Sequence, residues 1–209
     1  MYVIKEGLFT EEYLSELKHN LMSSPYLARS PLGKEFVDTK GFSIVFTRSE
    51  LKSVLSEFPY FKPFLDVVLF HKCNAFYINP LILEDGSRVD PHIDCRLIVS
   101  ENARIIPNIV SVLYVHVEPD IDGGEFIMNA GGENENSIKP STNFLLHFRG
   151  NIIHSVNKVR GSCKRVSVVC EQYNLPDSIL EAFPSFEIIE GKSSSNDTLT
   201  SYYQEKAVS

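Results

Sequence analysis

A change from helical to β-type spacing near Lys72 most constrains the fold of this chain. Before it, Leu14, Leu17 and Leu21 recur at helical spacing, and 49–58 and 60–69 carry similar apolar stripes. After it, short apolar runs alternate with turns. Those runs are 73–82, 89–97, 109–117, 125–128, 143–148, 152–156 and 165–173. Helices followed by many short strands predict a β-sandwich or barrel with helical packing on one side.

The length and composition fit one globular domain. The chain has 209 residues, and we expect a single domain over 1–192, with helical support over about 8–70 and a β core over about 73–174. The segment 193–209 is rich in Ser, Thr and Asn, a composition typical of a flexible tail.

Charge and targeting signals exclude several classes of function. The net charge of −7 without a Lys/Arg cluster argues against binding to a nucleic-acid backbone. No apolar run has membrane-spanning length, and the first ten residues lack the pattern of a secretory signal. We therefore expect a cytoplasmic protein. The four cysteines form no Cys-x-x-Cys pair, which argues against a zinc ribbon or a thioredoxin-type site.

The chemistry begins with the stretch around His92 and Asp94. If 89–97 is a β-strand, these two side chains point to the same face, because side chains repeat every second residue. An imidazole nitrogen and a carboxylate oxygen would be two ligands of a two-histidine, one-carboxylate iron site. A lone His-x-Asp is common and weak evidence, so a third ligand decides the matter.

His154 is the best candidate for the third ligand, and Arg165 accompanies it. His154 follows Asp94 by sixty residues and lies in a short predicted strand between turns. Arg165, eleven residues further on, opens the last long strand. Its guanidinium fork matches a carboxylate, so a cavity with both residues suits a small dicarboxylic cofactor.

Residues 73–173 resemble the Fe(II)/2-oxoglutarate-dependent oxygenases, and especially their prolyl-4-hydroxylase-like branch. Three sequence blocks carry the resemblance. They are His92-Ile93-Asp94 preceded by Asn74–Pro80, the turn Gly123-Gly124-Glu125-Phe126, and Phe144–Val156 continued by Gly161 and Arg165–Val168. Each block is weak alone, and their order and spacing are the stronger signal. The resemblance implies a double-stranded β-helix, a distorted jelly roll.

The resemblance also implies the occupants of the site. Iron(II) would be held by His92, Asp94 and His154, and 2-oxoglutarate would chelate it through the keto acid end. Arg165 best matches the residue that binds the distal carboxylate of 2-oxoglutarate. The match of the turn at 160–165 to the family pattern could be displaced by one residue, which leaves Lys164 as an alternative. Arg160 is a weaker alternative.

Two tyrosines and two arginines complete the predicted site. Tyr77 matches a tyrosine that can hydrogen-bond the cofactor, and Tyr114 is a second cavity residue by position; a core role is an equal alternative for both. Arg96 and Arg88 stand beside the metal motif and could meet an anionic group of the substrate. Solvated surface arginines are their alternative role.

The sequence thus predicts a 2-oxoglutarate-dependent dioxygenase that consumes O₂. It would hydroxylate an unactivated C–H bond of a small molecule, amino acid or peptide and release succinate and CO₂. Asp94 argues against a halogenase, which lacks the carboxylate ligand. A cupin-like jelly roll that binds a metal or small molecule without oxygenase activity is the competing class. A nucleic-acid demethylase is less favoured, because its Asn-x-Thr-Phe-Arg pattern does not follow Arg165.

Overall fold

The computed structural model describes residues 2–94, 97–100 and 103–191. Its helices are α1 (Glu11–Met22), α2 (Leu51–Glu57), α3 (Lys62–Val68) and α4 (Asp177–Leu180). Single 3-10 turns precede α2 and α3, at Arg48–Glu50 and Pro59–Phe61. Helix α1 begins as the sequence predicts: the Thr10 side chain caps it by accepting a hydrogen bond from the Tyr13 backbone N–H at 3.2 Å.

Strands make up most of the remaining described chain. They are β1 (Tyr2–Glu6), β2 (Ala28–Arg29), β3 (Phe36–Val37), β4 (Lys40–Gly41), β5 (Ser43–Thr47), β6 (Ala75–Leu83), β7 (Arg88–His92), β8 (Leu97–Ser100), β9 (Ala103–Ile105), β10 (Ile109–Val117), β11 (Phe126–Met128), β12 (Asn136–Ile138), β13 (Phe144–Phe148), β14 (His154–Val156), β15 (Arg165–Tyr173) and β16 (Phe186–Ile189).

Two antiparallel sheets form the body of the protein. The larger sheet runs β1-β13-β10-β15-β6-β4-β2, with β5 also paired to β6 and β16 to β5. The smaller sheet runs β12-β11-β14-β7-β3, and β8 pairs with β9 in a separate ribbon. Non-sequential antiparallel neighbours in two facing sheets are the arrangement of a jelly roll. The predicted double-stranded β-helix is confirmed.

Both faces of the larger sheet are buried, because side chains that alternate along its strands pack into two different core clusters. On β10, Leu113 and Val115 belong to the cluster that includes the helix residues Leu14, Leu17 and Leu21. Val112, on the opposite face of β10, packs with residues of the smaller sheet. The helices therefore support the outer face of the larger sheet, and the space between the sheets is left for the site.

Three predicted boundaries are wrong. Pro31, Gly33 and several polar residues predict a loop over 25–40, but this segment contains β2, β3 and the start of β4. A proline inside a strand-like run predicts an interruption, but β6 continues through Pro80. Pro80 lies opposite the gap between β4 and β5, so its missing N–H removes no bond to either strand.

The third error concerns the metal motif. Strand β7 ends at His92 instead of continuing to Leu97. His92 lies opposite His154, the first residue of β14, so Ile93 and Asp94 have no partner strand there among the described residues. The expected tail at 193–209 lies outside the described residues. Within the described residues, no helix is both long and apolar enough to cross a lipid bilayer.

Candidate metal centre and cofactor cavity

Adjacent strands bring the two predicted histidine ligands together. His92 ends β7, His154 begins β14, and the two residues face each other in the antiparallel register. Their ring centroids are 4.3 Å apart. Cross-strand neighbours on one face are the closest side chains in a sheet, so the pairing accounts for this proximity.

Asp94 completes the cluster from just beyond the end of β7. Its Oδ1 lies 3.4 Å from His92 Nε2, and its Oδ2 lies 3.6 Å from His154 Nε2. One ligand atom from each of the three residues can be chosen so that all lie within 4.8 Å of one another. Two ligands about 2.1 Å from a metal and at right angles are about 3.0 Å apart, so the cluster needs only a small contraction to hold an ion.

Backbone carbonyls orient both imidazoles. The Nδ1 atom of His92 lies 3.0 Å from the carbonyl oxygen of Asp90, and Nδ1 of His154 lies 3.0 Å from that of Ile152. A carbonyl oxygen only accepts, so Nδ1 carries the proton and donates. Each Nε2 then presents its lone pair toward the cluster, the form that binds a metal.

Aromatic rings enclose the histidines. Phe126 stacks on His154 with ring centroids 5.2 Å apart, and Phe148 meets it edge-on at 4.9 Å. Phe36 meets His92 edge-on at 5.0 Å. Burial lowers the pKa of His154, against an opposing effect of the Asp94 carboxylate. A neutral imidazole is the protonation state that a metal requires.

Arg165 lies in the same cavity as the three candidate ligands. It is 1% exposed, and its Nη1 donates a hydrogen bond to the Gly124 carbonyl oxygen at 2.6 Å. None of the salt bridges within the described residues includes Arg165, and its buried Nε has no hydrogen-bond partner among them. Burial lowers the pKa of this guanidinium. A buried cation of this kind requires an anion to compensate its desolvation.

Tyr114 supplies a second unsatisfied donor beside Arg165, although it is not itself among the described residues that line the cavity. Its ring lies 4.6 Å from the Arg165 guanidinium carbon, and its buried hydroxyl has no partner among the described residues. Burial raises the pKa of Tyr114, so the hydroxyl keeps its proton and can donate. A carboxylate placed between the hydroxyl and the guanidinium would accept from both, so these residues fit the distal end of a dicarboxylic acid.

The Gly123-Gly124 turn holds the carbonyl that orients Arg165. Gly123 has φ of +82°, and a Cβ at this residue would lie 1.9 Å from the Lys158 carbonyl oxygen. Gly124 follows with φ of +74°. Both positions favour glycine, as the sequence predicts for a tight turn.

The other predicted residues lie in different surroundings. Lys164 is on the surface, with a 47% exposed side chain and its Nζ 3.3 Å from Glu84. Arg160 is 63% exposed beside Asp122. Tyr77 packs near Tyr173 and Phe183 instead of lining the cavity described above.

The two arginines expected at the substrate have different outcomes. Arg88 donates from Nε to Asp90 at 2.8 Å and is not among the described residues that line the cavity. Arg96 lies outside the described residues. Their predicted role in binding an anionic substrate group stays a prediction.

The sequence reasoning assigned no site role to several residues that line this cavity, among them Leu32, Phe36, Asn79 and Glu171. A signal was present for one of them. Glu171 stands six residues after Arg165 on the same strand, so both face the same side, and it is a charged residue in an otherwise largely apolar run. Phe36 carried no such signal, because its segment pairs with β7 only in the folded chain.

No protein-family model matches this chain, and no curated protein is recognisably similar to it in sequence. Solved structures do match. A prolyl-4-hydroxylase from Pseudomonas putida superposes with a TM-score of 0.58 at 14% identity, covering 84% of this chain and 93% of that one. A Trichoplax adhaerens prolyl hydroxylase, in complex with a peptide fragment of hypoxia inducible factor, gives 0.55 at 12%, covering 83% of each.

A third similar structure is HygX from Streptomyces hygroscopicus, with nickel, 2-oxoglutarate and hygromycin B bound. Its TM-score is 0.55 at 9% identity, with 83% of each chain covered. The chain therefore has the fold of the Fe(II)/2-oxoglutarate oxygenases. Within that class its architecture is similar to that of the prolyl 4-hydroxylases, so the predicted resemblance is confirmed at the level of the fold.

Proposed function

We propose that this protein is an Fe(II)- and 2-oxoglutarate-dependent dioxygenase that hydroxylates a C–H bond of a small molecule, amino acid or peptide. One observation carries the proposal. A buried guanidinium, without a carboxylate partner among the described residues, shares a cavity with a His-Asp-His cluster. A metal-binding jelly roll without this chemistry has no need of such a cation.

Each residue has a definite task in this proposal. His92, Asp94 and His154 would hold Fe(II) and leave its remaining positions open. Arg165 and the Tyr114 hydroxyl would bind the distal carboxylate of 2-oxoglutarate and fix the direction in which the molecule lies. When bound, iron, 2-oxoglutarate and O₂ supply oxidative decarboxylation to succinate and CO₂, with transfer of one oxygen atom to the substrate.

The apolar lining of the cavity serves the same chemistry. Phe126, Phe148 and Val156 exclude water from the face of the cluster that His154 occupies. Exclusion of water strengthens the charge interactions made by Arg165 and protects a reactive centre from side reactions. The carbonyl bonds to both histidines keep their Nε2 atoms directed at the ion throughout.

The substrate class stays broad. Among the similar structures, one holds a peptide fragment and another holds hygromycin B, a small molecule. Both kinds of ligand are compatible with the proposal for this chain.

Succinate formation tests the proposed activity. Purified protein would be supplied with Fe(II), ascorbate, 2-oxoglutarate and a panel of amino acids, short peptides and amino sugars, and succinate would be measured. We expect at least one compound to stimulate succinate formation, and His92→Ala and Asp94→Ala to abolish it. His116→Ala is the control, because His116 lies on β10 beside Glu118 and away from the cluster. Unchanged turnover in the ligand variants would refute the proposal.

A further inference from the structure

Phe36 meets the candidate ligand His92 at the edge of the smaller sheet. The pairing of β3 with β7 places Phe36 opposite Val89. The register between β7 and β14 pairs His92 with His154 and Val89 with Val156, so β7 carries one extra residue between the two pairs. This bulge lets both Val89 and His92 line the cavity although they are three residues apart. Phe36 therefore lies beside the His92 ring, with centroids 5.0 Å apart and planes at 65°.

Asp90 connects β3 to the same imidazole through the backbone. Its N–H donates a hydrogen bond to the Glu35 carbonyl oxygen at 2.8 Å. Its own carbonyl oxygen lies 3.0 Å from His92 Nδ1 and accepts from it. Strand β3 thus acts on His92 in two ways: through the ring of Phe36, and through the residue whose carbonyl orients Nδ1.

The two histidines differ in what supports their rings. His154 packs against Phe126 of β11 and Phe148 of β13, and each of these strands has a neighbouring strand on both sides. Phe36 belongs to β3, which is two residues long and forms the edge of the smaller sheet. A short edge strand is held by few backbone hydrogen bonds, so its side-chain contacts carry more of the local order.

We propose that Phe36 is a positioning residue of the metal centre, whose ring keeps the His92 imidazole in the orientation that directs Nε2 at the ion. The inference rests on the proposed function, because it takes the His-Asp-His cluster to be a metal site. An imidazole that is already fixed loses less rotational freedom when it binds an ion. Release of one such side chain corresponds to a loss of about 2- to 12-fold in affinity.

Co(II) binding, without 2-oxoglutarate or O₂, tests the role of Phe36 independently of turnover. Calorimetry would give the Kd, and visible absorption would report the ligand geometry. Phe36→Leu keeps an apolar side chain but removes the ring, so it should raise the Kd about 2- to 12-fold and change the Co(II) spectrum. Phe36→Tyr keeps the ring and should restore the affinity and spectrum of wild type.

Val37→Ala is the matched control for a general loosening of β3. Val37 is the other residue of this strand, it points to the opposite face, and it is not among the described residues that line the cavity. Its variant should bind Co(II) as wild type does. An equal loss in Phe36→Leu and Val37→Ala would overturn the inference, and so would wild-type affinity and spectrum in Phe36→Leu.

A measurement on wild type alone covers the case in which a variant does not fold. Bound Co(II) should cause large pseudocontact shifts of the Phe36 ring protons, because this ring contacts a ligand of the ion. Absence of these shifts in the Co(II)-loaded protein would overturn the inference. If wild type binds no Co(II) at all, the proposed function fails and the inference with it. Co(II) binding that is unaffected in Phe36→Leu refutes the inference only.

Discussion

Replacing Arg165 with methionine should separate cofactor binding from stability. Arg165 is a fully buried cation, and in the described part of the chain it contacts a carbonyl oxygen and a tyrosine ring but has no carboxylate within salt-bridge distance. Methionine fills much of the same volume without a charge. The stability of the apo protein should therefore change little. The affinity for 2-oxoglutarate should fall sharply.

The two effects have different magnitudes. Removing a desolvated charge can stabilise a protein by about 1–4 kcal/mol. Loss of the bond to the Gly124 carbonyl oxygen costs about 1–3 kcal/mol in the opposite direction. The free energy of unfolding of the apo variant should then lie within about 3 kcal/mol of that of wild type. Loss of a buried charge partner weakens binding by about 2–5 kcal/mol, so the Kd for 2-oxoglutarate should rise about 30-fold to several thousand-fold.

Thermal unfolding in the presence of Mn(II) measures both effects. At a 2-oxoglutarate concentration of about 100 times Kd, wild type gains about 2.7 kcal/mol, equivalent to about 5–11 °C for a chain of this size. At the same concentration Arg165→Met should gain less than about 1 kcal/mol. Lys164→Met is the matched control and should respond as wild type does. A full ligand response in Arg165→Met, or its loss in Lys164→Met, would refute the assignment and return the role to the neighbouring lysine.

Three further predictions concern the ligands, the turn and the pH dependence. Mutation of a residue that only hydrogen-bonds to a metal ligand typically lowers metal affinity by about 10–100-fold. Because Asp94 would be a ligand itself, Asp94→Ala should lower the affinity for Mn(II) by more than that, and equilibrium dialysis measures it. Gly161→Ala should lose about 1–2 kcal/mol of stability because its φ is positive, and Gly123→Ala should lose more, because its Cβ would also overlap the Lys158 carbonyl oxygen. Only Gly123→Ala should also weaken 2-oxoglutarate binding, since its Cβ would displace the turn that orients the arginine; equal affinities in the two variants would contradict this. Burial lowers the pKa of His147 to about 4, and Nδ1 bonds to Ser111 at 2.9 Å. The unfolded chain takes up a proton near pH 6.5 and the folded chain does not, so stability should fall by about 1–2 kcal/mol between pH 6.5 and 4 after discounting for partial exposure. Urea unfolding of His147→Gln should lack this part of the pH dependence.

The sequence was sufficient for the fold and for the grouping of the three candidate ligands, because both follow from the pattern of strands and from the resemblance. The long β runs at 109–117 and 165–173 correspond to β10 and β15, and the leucines of α1 are buried as their spacing predicts. His92, Asp94 and His154 do come together. The reason given for His92 and Asp94 was only partly right, since β7 ends at His92 and Asp94 reaches the cluster from outside the strand.

The parts that were missed depend on contacts between distant segments. Phe36 reaches His92 because β3 pairs with β7, and a polar, loop-like sequence at 25–40 gives no sign of that pairing. The boundary of β7 depends on where β14 begins, some sixty residues later. The choice between Lys164 and Arg165 required burial, because adjacent residues of a strand face opposite sides and the turn before them left the register open.

Isothermal titration calorimetry with 2-oxoglutarate, without O₂, tests most directly the central claim that the metal-loaded protein binds this cosubstrate. The account predicts binding at a single site that requires Mn(II) or Fe(II) and is lost in His92→Ala and in Arg165→Met. A cupin-like metal-binding jelly roll would bind the metal through His92, Asp94 and His154 and give no heat with 2-oxoglutarate. Absence of 2-oxoglutarate binding to the metal-loaded wild type would contradict the account.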